Sequence, residues 1–243
     1  MNWFLIACAE RTGSNLLVSM LDSHPKIGCA GEVFNQRHLE DRLPWRPAAD
    51  RLDLIELRKQ DPARMFAELG QIAEGLGKSH FGFKITYNQW LKNPQVVDLI
   101  RGVPGVRLIH LLRRNRLRRL VSNEVARKND VWKVPVGTPK PPVSETKVEL
   151  AFADLINDFR NIERQEVMVE EALSGSPRLT VLYEDMAADP QSAGAQATDF
   201  LGLPRADLAV KFEKSGKDDL RDVVSNFDEL KSKLQHWVDF FDS

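Results

Sequence analysis

Residues 4–15, FLIACAERTGSN, constrain this chain more than any other stretch. Phe4 to Ala9 is an unbroken apolar run with the length and composition of a strand buried on both faces of a parallel sheet. It stops at Glu10-Arg11-Thr12-Gly13-Ser14-Asn15, a turn that combines a cation, a glycine and hydroxyls. Leu16, Leu17, Met20 and Leu21 follow at helical spacing. Strand, glycine turn and helix together aim the open N–H groups of a helix N-terminus at one point, where they attract an anion. Gly13 lets the backbone come close to that anion, and Thr12 and Ser14 offer hydroxyl donors. Arg11 offers a planar fork matched to phosphate oxygens. The pattern G-x-x-x-x-G-K-[ST] is absent, so the turn grips phosphate without the nucleoside-triphosphate signature.

The rest of the chain keeps the same alternation. Strands are expected at 81–85, 106–112 and 178–183, and 28–35 is a short strand or extended loop. Helices are expected at 62–76, 96–100, 117–128, 150–173 and 191–201, with an amphipathic tail at 227–241. Asn115 is placed to cap the helix that follows the 106–112 strand. Such alternation implies an α/β, P-loop-like three-layer fold, a central mostly parallel sheet flanked by helices, in a single domain over 1–243. Ligands of such folds lie at the carboxyl ends of the strands, where Arg11, Glu32, Lys84 and Arg114 all fall.

Composition excludes several classes. A net charge of −1 argues against a general nucleic-acid or membrane-surface binder. Two cysteines, Cys8 and Cys29, make no disulfide framework and fit a reducing compartment. No apolar stretch reaches the ~18 residues of a membrane span, and the N-terminal apolar run lacks a basic flank. A soluble, cytoplasmic protein is expected. Five scattered histidines, with no H-E-x-x-H or C-x-x-C, give no metal-ligand spacing.

Four ordered motifs carry a family resemblance. Arg11-Thr12-Gly13-Ser14 resembles the 5′-phosphosulfate loop of PAPS-dependent sulfotransferases, many of which carry Lys at the position of Arg11. Arg114 at a strand end with Ser122 eight residues on resembles their 3′-phosphate signature. Tyr183-Glu184-Asp185-Met186, Asp189-Pro190 and Phe200-Leu201-Gly202-Leu203 resemble a late motif of the family. Ser23-His24-Pro25 leading to Gly31-Glu32-Val33-Phe34-Asn35 resembles the bacterial Stf0-type branch, whose members sulfate carbohydrates such as trehalose. The resemblance spans residues 4–204 and implies a sulfuryl transfer from PAPS, with PAP as product and no metal. The implied acceptor is a hydroxyl of a carbohydrate or glycolipid.

The resemblance also distributes roles. Arg11, Thr12, Gly13, Ser14 and Asn15 face the 5′-phosphosulfate, and Arg114 and Ser122 the 3′-phosphate. Lys214 and Arg221 stand in a loose match to the basic loop that closes over the nucleotide. Glu32 is the expected general base, with His24 the alternative, and Arg11 and Lys84 act near the sulfuryl group. His110, mid-strand, is read as a hydrogen-bonded core residue, and Tyr183-Glu184-Asp185 as architecture outside the site. Segments 36–62 and 129–145, with Trp132, are read as acceptor-side elements. The apolar C-terminal segment packs either on its own core or on a second copy as a homodimer. Three rival readings stand beside this one: a nucleotide-binding protein without turnover, a P-loop kinase-like enzyme, and an RNA-binding surface built on Arg113, Arg114, Arg116, Arg118 and Arg119. In the last, Arg116 and Arg119 are expected at the surface.

Overall fold

In a computed structural model the described residues are 1–35, 48–132, 134–137, 146–212 and 219–234. Lys214, the 138–145 part of the proline-rich loop, residues 36–47 and the tail beyond 234 lie outside them. Among the described residues five strands form one sheet, all parallel, in the order β2-β3-β1-β4-β5. They are β1 (Asn2–Cys8), β2 (Ile27–Ala30), β3 (His80–Thr86), β4 (Arg107–Leu112) and β5 (Arg178–Leu182).

The central strand is the apolar run that opens the chain. Alternation along β1 sends Leu5 and Ala7 to one face of the sheet and Phe4, Ile6 and Cys8 to the other. The first face is covered by α3 (Pro62–Gly75), α4 (Tyr87–Lys92), α5 (Pro94–Arg101) and α7 (Phe152–Ala172). The second is covered by α1 (Ser14–Asp22) and α9 (Pro190–Leu201). A third cluster packs α6 (Arg116–Asn129) between α7 and α10 (Phe227–Lys233). Two further helices are α2 (Ala48–Gln60) and α8 (Tyr183–Ala188).

Helix starts follow the expected chemistry. Asp61 accepts the N–H of Arg64 (3.0 Å) with Pro62 in the first turn of α3, and Asn115 accepts that of Arg118 (2.8 Å) at the start of α6. Two short helices, α4 and α8, were not expected from the sequence. Each has six residues, too few to display a helical period. Helix α4 is set by a capping box between Thr86 and Gln89. Of the tail expected over 227–241, α10 is the described part.

The aromatic residues of the first face fix the edge near the site. Phe34 packs on Phe66 and Phe83 with ring centroids 5.8 and 5.7 Å apart, and Phe66 on Phe83 at 5.2 Å. Val33 and Phe34 are therefore buried just past β2 and pin Glu32 beside β3. Beneath the same edge runs a buried polar chain. Tyr87 Oη donates to His110 Nε2 (2.7 Å), and His110 Nδ1 donates to Glu170 Oε1 (3.1 Å). Arg178 Nη1 pairs with the other oxygen of Glu170 (2.7 Å). Burial holds the imidazole below its ordinary value against the opposing pull of Glu170, so the neutral Nδ1–H tautomer fits both contacts. His110 is thus the hydrogen-bonded core residue expected. Tyr87→Phe would leave His110 Nε2 buried without a donor. We expect a loss of about 1–3 kcal/mol in the unfolding free energy, read by chemical denaturation.

Candidate active site

The turn after β1 adopts a conformation that L-residues avoid. Arg11 (φ 66°) and Gly13 (φ 76°) are both left-handed, and Arg11 is one of two non-glycine residues with positive φ among the described residues. Thr12 Oγ1 donates to the carbonyl of Ala9 (2.9 Å), and Arg113 Nη1 to the carbonyl of Arg11 (2.9 Å), so the turn is held from both sides. Helix α1 starts at Ser14 with no side chain capping it. Beneath the turn, burial pushes the Cys8 thiol up to about 11, outweighing Lys84 and the hydroxyls of Thr12 and Ser14. Cys8 is a packing thiol rather than a nucleophile.

The Arg11 side chain crosses toward α6. Its Nε donates to Ser122 Oγ (3.0 Å) and its Nη1 to the carbonyl of Trp132 (2.5 Å). Burial lowers the guanidinium from its ordinary value, opposed by Tyr183, yet it remains charged at neutral pH. The structure thus joins Arg11 to Ser122, which the sequence reading assigned to opposite ends of one nucleotide. Trp132 is 45% exposed beside this contact, and Asp130 accepts its indole N–H (3.1 Å).

Next to the turn sits a carboxylate in a cage of donors. Strand β2 pairs with β3, Ala30 opposite Phe83, so Glu32 reaches Lys84 one pleat on. Lys84 Nζ lies 2.8 Å from Glu32 Oε1 and donates to Asn15 Oδ1 (2.9 Å). Gln89 Nε2 and Asn35 Nδ2 each donate to Glu32 Oε2 at 2.8 Å. Lys84 is buried within β3 rather than at its end, because the strand runs on to Thr86. Glu32 stays 15% exposed at its side chain, so the cluster opens to solvent on the acid's side. An acid, an ammonium and the phosphate-type turn are therefore linked through single hydrogen bonds.

The end of β4 forms the third part. Arg114 is exposed, and its Nη2 pairs with Asp185 (2.9 Å). Glu184 accepts the backbone N–H groups of Arg114 (3.2 Å) and Asn115 (3.0 Å). Arg113 lies over the Tyr183 ring, 4.3 Å from its centroid, and the ring also stands over Gly13 and packs on the second-face core. A cavity of about 470 Å³ opens beside Arg114, between the ends of β4 and β5 and α7. Ser122 Oγ accepts from Arg11 Nε, while Arg114 is held by Asp185 and Glu184. Arg221 stacks on Phe227 (5.2 Å), and Lys214 lies outside the described residues.

His24, the alternative base, has both ring nitrogens engaged. Its Nδ1 accepts the N–H of Lys26 (3.1 Å) and its Nε2 faces the carbonyl of Pro204 (3.0 Å), so both ring nitrogens are occupied in a buried turn. The arginine stripe also resolves differently from the expectation. Arg116 pairs with Glu163 (2.5 Å) and Glu166 (3.0 Å), and the buried Arg119 with Asp158. Helix α7 covers α6 and supplies the acids, so these cations are tied into a helix interface, with Arg116 at the wall of the cavity beside Arg114. Among the described residues no group of three His, Cys, Asp or Glu side chains could hold a metal ion.

Sequence reasoning missed four contributors. Gln89 and Asn35 cage Glu32, Tyr183 roofs Gly13, and Glu184 fixes the backbone before α6. The readable signal for the last two was the Tyr-Glu-Asp triplet directly after a strand expected beside the Arg114 strand. Gln89 carries no local signal, since its partner lies 57 residues away in sequence, whereas Asn35 stands three residues from Glu32 in the same motif.

Known proteins resemble the chain along most of this length. Residues 4–207 match the model of the Sulfotransferase family. Nodulation protein H of Rhizobium meliloti (strain 1021) is 28% identical over 233 residues, covering 94% of this chain and 89% of that protein. Nodulation protein H of Rhizobium tropici is 29% identical over 234 residues, covering 94% and 87%. A sulfotransferase structure from Alicyclobacillus acidocaldarius shares the fold with a TM-score of 0.57 at 18% identity, over 99% of this chain and 94% of that one. The sulfotransferase domain from the curacin biosynthetic pathway does so with a TM-score of 0.57 at 17% identity, over 84% and 74%. No helix among the described residues is long and apolar enough to cross a membrane. The family match begins inside β1, takes in the turn, Glu32, Lys84, Arg114 and Ser122, and ends beyond α9; this chain belongs to the sulfotransferase family and is a sulfotransferase enzyme.

Proposed function

We propose that the enzyme moves a sulfuryl group from PAPS to a hydroxyl of a carbohydrate or glycolipid, as the Stf0-type resemblance implies. The observation that carries this reading is Lys84, whose ammonium bridges Asn15 of the phosphate-type turn and Glu32. Sulfuryl transfer needs three things at one point: in-line placement, a sink for the leaving phosphate's charge, and a base for the acceptor proton. The acceptor oxygen forms the new S–O bond as the S–O bond to the 5′-phosphate breaks. The acceptor proton passes to Glu32. Charge gathering on the phosphate is met by Arg11, by the N–H groups at the start of α1, and by Lys84 as it swings from Glu32. Arg114 and Ser122 bind the 3′-phosphate, and Lys214 and Arg221 close on the nucleotide. The Arg114–Asp185 pair is exposed and weak, so a phosphate can displace it.

Calorimetric titration with PAP and with AMP, without metal, tests the donor half. Tight binding of PAP and weak binding of AMP is expected. Arg114→Ala should weaken PAP by about 10–100-fold, the loss of one charge-assisted phosphate contact, and leave AMP unchanged. Equal affinity for the two nucleotides would leave the enzyme without a 3′-phosphate reader and return Arg114 to a purely structural pair. The acceptor half is tested by sulfate transfer from labelled PAPS to trehalose and to glycolipid.

A further inference from the structure

Among the described residues Trp132 is the only exposed aromatic side chain, 45% open to solvent. We propose that Trp132 and Asp130 form a sugar subsite for the acceptor. The indole face takes the C–H face of a pyranose ring, and Asp130 accepts from a hydroxyl on its rim. The inference rests on the reading of the acceptor as a carbohydrate and gives that acceptor a named contact in the protein.

The ring serves no core. Trp90 is buried, and Trp3 packs on Phe66 and Phe81 with ring centroids 5.4 and 5.2 Å apart. Trp132 has no such ring partner, yet it is held in place before any ligand arrives. Helix α6 ends at Asp130, whose φ of 52° is left-handed. The N–H of Val131 then turns back to the carbonyl of Ala126 (3.2 Å), which directs the chain into Trp132. Indole Nε1 donates to Asp130 Oδ1 (3.1 Å), and the carbonyl of Trp132 accepts from Arg11 Nη1 (2.5 Å). The flanking chain is tied as well. The N–H of Val136 donates to the carbonyl of Lys211 (3.0 Å), and Thr146 Oγ1 to Asn129 Oδ1 (2.9 Å). A ring anchored in this way loses little freedom when a ligand covers it, so its open face binds at small entropic cost.

The neighbourhood selects a sugar over a nucleotide base. A pyranose has an apolar C–H face, which suits the negative face of an indole, and a rim of hydroxyl donors. Asp130 is an exposed carboxylate at the edge of that indole. It accepts from hydroxyls and opposes phosphate, so a doubly phosphorylated nucleoside is disfavoured against the same ring. Position points the same way. Trp132 is joined through Arg11 to the turn proposed to hold the 5′-phosphosulfate, so a sugar on the indole stands one side chain from the donor.

The test follows the ring itself. In protein labelled with 5-fluorotryptophan, the fluorine-19 NMR signal of Trp132 is the one missing from Trp132→Phe. With PAP bound, trehalose should shift this signal, and sorbitol, a polyol with no ring face, should not. In sulfate transfer from labelled PAPS, Trp132→Ala should raise the KM for trehalose by about 10-fold, the upper end of one aromatic contact, with kcat within about twofold. Trp132→Phe, which keeps a ring, should recover most of that loss. PAP affinity by calorimetry should not change in Trp132→Ala, because the substitution leaves the carbonyl that Arg11 uses. An unmoved Trp132 signal with trehalose, an equal shift with sorbitol, or an unchanged KM in Trp132→Ala overturns the inference. So does a loss of PAP affinity in Trp132→Ala, which would make the ring a platform for the donor's adenine. The carbohydrate reading fails separately, if the unaltered enzyme transfers no sulfate to trehalose or glycolipid, whatever the Trp132 signal does.

Discussion

Glu32→Gln should lower turnover by about 10²–10⁴-fold, the usual range for a lost general base, while PAP binds with unchanged affinity. The glutamine keeps the shape of the acid and removes the carboxylate proposed to accept the proton. The substitution has a second consequence, which a control must separate. Glu32 faces donors on both sides, Lys84 on Oε1 and two amides on Oε2. A glutamine brings its own N–H₂ against one of them, so a donor meets a donor. Stability should therefore fall by about 1–3 kcal/mol as well. Glu32→Asp settles which loss matters. It restores the charge but retracts the carboxylate by one methylene from Lys84. Partial recovery of stability without recovery of turnover ties activity to the position of the base. Full recovery of both would mean that charge alone, and not proton transfer at a fixed distance, is what the cluster supplies. The measurements are steady-state transfer from labelled PAPS, calorimetry with PAP, and denaturant unfolding.

How far the sequence reaches depends on the range of the interaction. The β1 run, the turn and α1 are one local unit, and the eighteen residues 4–21 sufficed to read them. The pairing of Arg11 with Ser122 spans 111 positions, and no pattern announces it. Both residues were singled out, for different phosphates, because each belongs to a different motif of the family resemblance. Lys84 was legible as a charged residue in an apolar strand, but its bridging role needed the register of β2 on β3. The arginines of α6 show the opposite case. Their density invited a surface reading, which the packing of α7 reversed by setting Glu163, Glu166 and Asp158 against them. Helix α8 hid Tyr183 and Glu184: six residues give no period, so the triplet after the strand read as architecture outside the site. Local chemistry was therefore readable, and the contacts that make it a site were not.

Gly13→Ala should weaken PAP binding by about 10–100-fold, although the methyl group touches no expected ligand contact. Two separate penalties meet at this residue. Its φ of 76° lies in the left-handed region, where an L-residue costs roughly 1–2 kcal/mol. An added Cβ would also stand 2.6 Å from Tyr183 Cδ2 and 2.8 Å from Cε2, closer than carbon atoms approach. The ring cannot simply move aside, because Arg113 lies over it and donates to the carbonyl of Arg11 in the same turn. The turn must therefore shift, and the N–H groups at the start of α1 shift with it. Gly202→Ala supplies the matched control. Gly202 has nearly the same φ, 77°, at the C-terminus of α9, and an added Cβ there meets nothing within 4 Å. Both variants should lose similar stability from the backbone term, and only Gly13→Ala should lose affinity for PAP. If Gly202→Ala weakens PAP equally, the effect is global and the turn is not the donor's grip. If Gly13→Ala, Tyr183→Ala regains affinity over Gly13→Ala alone, the collision with the ring, rather than the strained backbone, is what displaces the phosphate-binding amides.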